Sequence, residues 1–286
     1  MSRKARRRPR TARADRREGP VGRAGDAREN ERMARIAAAF DGEAADYERR
    51  FSDHPSARAM RAASHRLYAA YLKPGMSVLD LNCGPGSDFP FFKQHGVRLT
   101  ALDASPKMLA LARERDAEAS LLCLDYNHID RIPGRFHAIC SNFGGLNTQP
   151  EFGEFAAKCR DRLHPHGFLF LNIMTPLPLG EILEGLFRRR HFFRRLRRGG
   201  RQRLRVGKRQ LDTYYFFPKR FYRTYFRESF RLLKLRGLGV FLPPPYLANE
   251  SGRIGSPVLR LERMFGGFFP FNRLGDHAML VLRRRA

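Results

Sequence analysis

The stretch from Val78 to Gly86 constrains the fold more than any other part of the chain. Its sequence, VLDLNCGPG, is an apolar run that ends in a Gly-x-Gly turn, which is typical of a buried strand entering a nucleotide-binding loop. Glycine allows such a turn because it reaches positive φ and lets a ligand approach the backbone closely. Asp80 stands inside the apolar run, where burying a carboxylate is costly unless it has a polar partner. We therefore expect Asp80 to have a polar role beside the turn.

A second acidic residue follows at the spacing that a dinucleotide-type fold requires. Residues 98–103 form a short β-type run that ends in Asp103, nineteen residues beyond Gly84. An acid about 20 residues after the glycine turn accepts hydrogen bonds from ribose hydroxyls in such folds. Ser105 and Pro106 then suit the N-cap and the first position of a helix. Asp103 is therefore our candidate for contact with a ribose.

Five ordered motifs link these elements to a known family. They are VLDLNCGPG, LTALDASPKMLALAR, LLCLDYN, FHAICSNFGGLNT and LHPHGFLFLNIM, within roughly residues 35–175. Together they resemble the class I S-adenosylmethionine-dependent methyltransferases. The later text PPPYL and LGDHAML resembles a bacterial subgroup of that family, of small-molecule type. The chain departs from the family at Asn82, where many relatives have the first glycine of the turn. Asparagine tolerates the left-handed region better than other non-glycine residues, so we expect the turn to be retained.

The resemblance implies a fold and a cofactor. The implied fold is α/β and Rossmann-like: a seven-stranded, mostly parallel sheet with helices on both faces, an antiparallel last strand and a small lid or insertion. The alternation of strand and helix signals through residue 173 agrees with it. The implied cofactor is S-adenosylmethionine. The residues expected to bind it are Tyr47, Asp80, Asn82, Cys83, Gly84, Gly86, Asp103, Ala104, Met108, Asp125, Tyr126, Asn142 and Phe143.

Some of these assignments have alternatives. By resemblance Asp125 would bind the exocyclic amine of adenine, but it could instead cap the next turn. Tyr47 and Phe51 are candidates for a flap over the methionine end of the cofactor, and a core-packing role is equally open for Tyr47.

Asn142 opens the loop after the fourth strand, which we expect to face the transferable methyl group. That loop lacks the Asn-Pro-Pro-Tyr pattern typical of enzymes that methylate amino groups of adenine or glutamine.

Composition divides the chain into a basic tail and one methyltransferase domain. Residues 1–30 are charged and lack aromatic residues, which predicts disorder. Helical spacing then begins at Met33, with an expected break at Asp41–Gly42. Within residues 31–286 we expect a helical lid (33–73), a cofactor-binding core (76–174), a basic and aromatic insertion on the acceptor side (175–222), and a C-terminal part (223–286). In the last part the pattern predicts a helix over 223–236, ended by Gly237, and strands over 238–242 and 277–282.

The formal charge of +27 is concentrated in two segments, residues 3–35 and 188–209. The second carries twelve Lys or Arg among twenty-two positions and no acid, with apolar residues interleaved. It could dock on an anionic surface, select an anionic substrate near the mouth of the site, or be a solvated loop. The charge alone leaves nucleic acid, an anionic membrane surface or an acidic substrate open as partners.

A methyl donor of the sulfonium type needs an acceptor held in line, and a hydroxyl acceptor also needs a base that removes its proton. The candidates for that base are His191, Tyr215, Glu250 and His277, and nothing in the sequence ranks them. The four cysteines lack a Cys-x-x-Cys pair and are interpreted as reduced core residues. We therefore expect no metal site.

Three functions compete at this point. An O- or N-methyltransferase for a small-molecule acceptor is favoured by the variable, aromatic C-terminal half. An RNA or protein methyltransferase is favoured by the two basic segments. A non-catalytic binding protein is the weakest alternative, because the expected acidic and glycine residues of the cofactor loop are all present. With no secretory signal or spanning helix apparent, we expect a cytoplasmic location, and both a monomer and a dimer remain open.

Overall fold

Nine β-strands occur in the residues that the computed structural model describes, which are 20–188, 194–242 and 254–286. In chain order they are β1 (Ser77–Leu81), β2 (Arg98–Asp103), β3 (Ser120–Cys123), β4 (Phe136–Ser141), β5 (Leu163–Met174), β6 (Arg201–Val206), β7 (Arg209–Tyr214), β8 (Phe230–Leu238) and β9 (His277–Arg284). Seven of them form one sheet in the order β3-β2-β1-β4-β5-β9-β8, and β6 and β7 form a separate hairpin.

Pairing in the large sheet is parallel on one side and antiparallel on the other. β1 pairs in parallel with β2 and β4, and the pairs β2–β3 and β4–β5 are also parallel. β9 is antiparallel to both of its neighbours, β5 and β8. The expected seven-stranded, mostly parallel sheet with an antiparallel last strand is confirmed. The strand order reverses between β1 and β4, and such a reversal opens a crevice at the carboxyl ends of the strands where ligands bind.

Helices cover both faces of the sheet. In the described residues the α-helices are α1 (Pro20–Tyr47), α2 (Pro55–Ala69), α3 (Phe89–Gln94), α4 (Pro106–Arg115), α5 (Gly153–Arg162), α6 (Leu179–Arg188), α7 (Pro218–Phe221) and α8 (Ser256–Phe265). Alternate strand residues face opposite sides. Leu79 and Ile139 pack in a core with residues of α1 and α5, whereas Val78 and Cys140 pack in another with residues of α2 and α3. None of the described helices is both long and apolar enough to cross a membrane.

The N-terminal part differs from the expectation in two ways. Residues 20–30 belong to α1, so the prediction of disorder is wrong for them, and residues 1–19 lie outside the described residues. The two arginines and two alanines of residues 20–30 are strong helix formers, and Pro20 suits the first position of a helix. The predicted break at Asp41–Gly42 is also wrong, because α1 continues to Tyr47. Ala39 and Ala44 on either side of Gly42 are buried, and that packing outweighs the cost of about 1 kcal/mol for a glycine within a helix.

The predicted helix over residues 223–236 is wrong. A single π-helical turn ends at Phe226, and Phe230–Leu238 is the edge strand β8. The expected strand over 238–242 is wrong as well, because β8 ends at Leu238. Residues 277–282 of β9 are all buried and need a hydrogen-bonded neighbour on both sides. Pairing with β9 therefore overrides the helix-like spacing of apolar residues in this segment.

The basic insertion is a structured element where it is described. Residues 201–214 form the β6–β7 hairpin, whose turn contains Gly207 at a φ of 57°. Side chains along β6 alternate between exposed arginines and half-buried residues. The hairpin contacts α1 and the loop after β4, so it lies over the carboxyl ends of the parallel strands.

Candidate active site

Loops at the carboxyl ends of β1, β2 and β4 surround a cavity of about 100 Å³, here called the cofactor cavity. Residues 33–47 of α1 supply its remaining wall. Most residues that the sequence assigns to the cofactor line it, namely Tyr47, Asn82, Gly84, Asp103, Ala104, Met108, Tyr126, Asn142 and Phe143. Residues that are far apart in the sequence therefore meet at the place where the strand order reverses.

The glycine turn after β1 and the acid at the end of β2 are joined directly. The Gly84 N–H donates to Asp103 Oδ2 at 2.9 Å, and the Ser105 N–H donates to Asp103 Oδ1 at 2.9 Å. Asn82, Gly84 and Gly86 all have positive φ, so asparagine does adopt the left-handed conformation that the turn requires. Ser105 caps α4 as predicted, because its side chain accepts from the Met108 N–H.

Burial raises the pKa of Asp103 to about 6, although the two backbone hydrogen bonds act in the opposite direction. Each carboxylate oxygen has a second lone pair beyond the backbone bond that it accepts. Asp103 can therefore accept hydrogen bonds from two hydroxyl groups of a ligand in the cofactor cavity.

Tyr47 closes the cavity over the glycine turn. Its Cε1 would lie 4.0 Å from a Cβ placed on Gly84, and its ring is 5.2 Å from that of Phe51 between centroids. Desolvation raises the pKa of Tyr47 to about 12, so the phenol is neutral at physiological pH. Tyr47 thus presents an aromatic face and a hydroxyl donor.

Four of the residues assigned to the cofactor do not line the cavity: Asp80, Cys83, Gly86 and Asp125. Asp80 is buried in β1, and burial together with the negative charge of Asp88 raises its pKa well above the usual range. Asp125 caps the turn that follows it, because its Oδ1 accepts from the Asn127 N–H at 2.7 Å. That contact is the alternative role considered for Asp125.

A buried polar cluster supports the loop after β4. Asp88 Oδ1 lies 2.6 Å from Arg61 Nη1 and 2.7 Å from His65 Nε2, and Asn142 Nδ2 donates to Asp88 Oδ2 at 2.9 Å. Burial raises the pKa of Asp88, but Arg61, His65 and Asn142 together bring it below the usual range. Asn142 Oδ1 also accepts from Asn172 Nδ2 at 2.7 Å. The amide of Asn142 therefore orients the loop.

A second cavity, of about 200 Å³, adjoins the cofactor cavity. The two share Phe40, Tyr47, Phe143, Gly144 and Thr148 in their walls. The β6–β7 hairpin supplies one wall of the second cavity through four side chains: Leu204, Val206, Leu211 and Thr213. A ligand in the second cavity would thus be mainly in apolar surroundings, directly beside a ligand in the cofactor cavity.

Two of the predicted bases, Tyr215 and His277, lie in the described residues. Of these two, His277, at the start of β9, lines the second cavity near this junction. A Cβ placed on Gly144 would lie 3.3 Å from His277 Nε2, so this nitrogen faces the loop that both cavities share. His277 Nδ1 lies 2.8 Å from Asp276 Oδ2. Asp276 Oδ1 is ion-paired with Arg195 Nη2, and Arg195 Nε donates to Glu181 Oε1 at 3.0 Å.

Charge is balanced along this chain of contacts. Burial raises the pKa of Asp276, but Arg195 and His277 outweigh burial and hold it below the usual range. Burial lowers the pKa of Arg195, and the two carboxylates of Asp276 and Glu181 raise it above its ordinary value. Asp276 is therefore an anion directly beside the imidazole of His277.

A family described as "Methyltransferase domain" matches residues 78–167, which contain the glycine turn, Asp103 and the Asn142 loop. The chain contains a class I S-adenosylmethionine-dependent methyltransferase domain. The parallel core β1–β5, with β9 antiparallel beside β5, forms its sheet, and S-adenosylmethionine is its cofactor. The residues present fit that cofactor: Asp103 can accept from ribose hydroxyls, and Gly84 leaves room beneath the Tyr47 ring.

Relatives of the methyltransferase domain act on different acceptors. Sphingolipid C9-methyltransferase A of Emericella nidulans is 29% identical over 134 residues, which are 43% of this chain and 26% of that protein. Malonyl-[acyl-carrier protein] O-methyltransferase of Salmonella typhimurium is 37% identical over 100 residues, which are 34% of this chain and 36% of that protein. The matched segments thus span well under two thirds of these curated relatives.

A solved structure shows the same fold over nearly the whole chain. It is the 1,6-didemethyltoxoflavin-N1-methyltransferase of Burkholderia thailandensis, with 1,6-didemethyltoxoflavin and S-adenosylhomocysteine bound. The TM-score is 0.51 at 18% identity, and the alignment covers 97% of this chain and 94% of that one. At this identity the likeness concerns the fold.

The structure describes two of the four candidates for the catalytic base, and they lie at different positions relative to the cavities. His277 lines the second cavity. Tyr215 lines neither cavity; its ring lies 4.9 Å from the Arg195 guanidinium, and its hydroxyl donates to Gln202 Oε1 at 3.4 Å. His191 and Glu250 lie outside the described residues.

The sequence analysis missed Arg61, His65 and Asp88. One signal could have indicated the first two, because they are four residues apart and so would lie on one face of a helix within the expected helical lid. Asp88 follows the glycine turn by two positions, and it is the N-cap residue of α3. Asp276 and Arg195 gave no comparable signal, since they are 81 residues apart.

Proposed function

We propose that the protein transfers a methyl group from S-adenosylmethionine to an oxygen or nitrogen atom of a small-molecule acceptor in the second cavity. The observation that carries this proposal is the position of His277 where the two cavities meet, with Asp276 and Arg195 behind it. A base at that point suits an acceptor atom that loses a proton during transfer.

When bound, the cofactor supplies an electrophilic methyl group on a sulfonium sulfur. The chain contributes position and proton transfer. The shared wall holds an acceptor in the second cavity next to the cofactor cavity, and positioning of this kind can supply about 7–11 kcal/mol of the barrier reduction. His277 Nε2 would take the proton from the acceptor O–H or N–H as that atom is methylated, the methyl–sulfur bond breaking so that S-adenosylhomocysteine is the leaving group. Asp276 is the anion beside the His277 ring.

The shape of the second cavity supports a small acceptor. Its volume of about 200 Å³ and its cover by the β6–β7 hairpin suit a compact, largely apolar group. The names of the two curated relatives specify a carbon acceptor in one case and an oxygen acceptor in the other. They therefore do not indicate which atom of the acceptor is methylated here. His277 favours an atom that carries a removable proton over one that does not.

The test is radiolabelled methyl transfer from S-adenosylmethionine to a panel of phenols, carboxylic acids and amines. His277→Ala is expected to lower kcat by about 10²–10⁴-fold, the usual contribution of a general base, with unchanged affinity for S-adenosylhomocysteine. His166→Asn, at an exposed histidine of the turn within β5, is the matched control and is expected to leave kcat unchanged. Full activity in His277→Ala would refute the role of the base, and failure of the wild type to bind the cofactor product would refute the proposal itself.

A further inference from the structure

A third cavity lies between α1 and the outer side of the β6–β7 hairpin, and we call it the arginine groove. Its volume is about 570 Å³. Its charged lining consists of Arg32, Arg35, Arg201, Arg203 and Arg209, with Asp212 as the acid. None of these arginines lines the cofactor cavity or the second cavity.

Strand alternation places Arg201 and Arg203 opposite the second cavity. Arg201 and Arg203 on β6 are exposed, whereas Leu204 and Val206 are half-buried and line the second cavity. The hairpin is therefore a wall that is apolar on the inside and cationic on the outside. Its cationic side faces Arg32 and Arg35, one helical turn apart on α1.

The positive charge of the arginine groove is only partly compensated by its own lining. Asp212 is shared by two arginines, with 2.7 Å to Arg201 Nη2 and 3.5 Å to Arg203 Nε. Within the groove lining, Arg35, Arg201, Arg203 and Arg209 thus face this one carboxylate. Such a concave cationic site attracts anions, and arginine binds phosphate in a bidentate way that adds geometric specificity.

The groove adjoins both other cavities. Thr148 lines all three, and Leu211 lines the groove and the second cavity. Arg32 is held at this point because its Nη1 donates to the Thr148 carbonyl at 2.5 Å. An anionic group bound in the groove would therefore lie on the other side of Thr148 and Leu211 from a group in the second cavity.

We propose that the methyl acceptor carries a phosphate ester, that the arginine groove binds this phosphate, and that the reacting end of the same molecule occupies the second cavity. The inference rests on the proposed function of the second cavity. The cationic lining consists of one helical turn and one hairpin, which is enough for one or two phosphates. A small phosphorylated acceptor fits this extent better than a long polyanion, which would contact many phosphates.

The binding test uses inorganic pyrophosphate as the probe, titrated calorimetrically into the full-length protein at low salt with S-adenosylhomocysteine present. The double variant Arg35→Gln/Arg209→Gln is expected to raise the pyrophosphate Kd by at least about tenfold. The charge-matched control is Arg223→Gln/Arg231→Gln, at two exposed arginines outside the groove, and it should change Kd by less than about twofold. No binding to the wild type, or equal weakening in both variants, would overturn the proposal.

Two further measurements distinguish a small phosphorylated acceptor from an unphosphorylated one and from a nucleic acid. Paired acceptors that differ only by a phosphate ester are compared in the methyl-transfer assay, and the phosphorylated member should have the lower KM in the wild type but not in the double variant. Preference for the unphosphorylated member would overturn this inference while leaving the proposed function intact. A single-stranded RNA that binds far more tightly than pyrophosphate, with a steep salt dependence lost in the double variant, would replace the small acceptor by a nucleic acid.

Discussion

Affinity for S-adenosylhomocysteine is expected to fall as the pH drops from about 7.5 to about 5, because Asp103 gains a proton in this range. Burial raises the pKa of Asp103 to about 6 in the absence of ligand. Ribose hydroxyls donate hydrogen bonds to an ionised carboxylate more strongly than to a neutral carboxyl group. The ligand should therefore bind the ionised form, and a proton must leave Asp103 before binding at low pH.

The magnitude follows from that pKa. Each pH unit below about 6 should raise Kd by about tenfold, or about 1.4 kcal/mol, and Kd should be nearly constant above about 7. In the absence of ligand, the raised pKa of Asp103 also affects the free energy of unfolding. This contribution decreases with rising pH, whereas the affinity for the ligand increases. The folded state binds this proton more tightly than the unfolded chain, whose Asp pKa is about 3.9. The stabilisation is therefore fully present below about pH 4 and is lost as the pH rises through about 6.

Calorimetric titration across this pH range measures the effect, with Asp103→Asn as the control. The asparagine variant keeps the shape of the side chain, so it should bind more weakly by about 1–3 kcal/mol near pH 7.5 but without the slope. Staying at or below about pH 7.5 limits titration of the ligand's own α-amino group. A flat wild-type profile, or an unchanged slope in Asp103→Asn, would refute the reasoning and point to another titrating group near the cavity.

Three other changes test the packing around the site. Gly145→Ala should weaken S-adenosylhomocysteine binding, since the new Cβ would lie 2.8 Å from Asn82 Cβ, whereas Gly153→Ala has nothing within 4 Å and should bind normally in the same titration. Arg195→Met leaves two buried carboxylates without their cation and should lower the free energy of unfolding by about 3–5 kcal/mol in a denaturant titration; a loss under 1 kcal/mol would contradict the buried ion pair. Tyr68→Phe should unfold at the same or a higher denaturant concentration, because the fully buried hydroxyl has no hydrogen-bond partner among the described residues.

The cofactor half of the site could be predicted because its signals are local. A strand, its glycine turn, the next strand with Asp103 at its end and the Ser105 cap follow one another within about thirty residues. Each of these conformations depends mainly on residues nearby, such as positive φ at Asn82 and Gly84. The near-continuous apolar runs of β1, β4 and β5 then predict a buried sheet with helices on both faces.

The acceptor half could not be predicted in this way, because its contacts join distant parts of the chain. The segment Phe230–Leu238 has helix-like apolar spacing and becomes a strand only because β9 needs a partner on its second edge. In the sequence of the insertion, arginines and apolar residues are interleaved without an assigned structure. Only the pairing of β6 with β7 separates them into an apolar side and a cationic side.

By itself, the sequence predicted the strand, the glycine turn and the Ser105 cap, since short-range backbone preferences and burial patterns suffice for these. The class of the domain and its cofactor came from the resemblance of the five motifs to a known family. Only the tertiary structure showed that His277 lines the second cavity and that Tyr215 does not. It placed Arg195 behind Asp276 and its sequence neighbour His277, and it set the arginines of the hairpin opposite those of α1. The physical reason is that ion pairs and cavities arise from packing across the sheet, which no local pattern specifies.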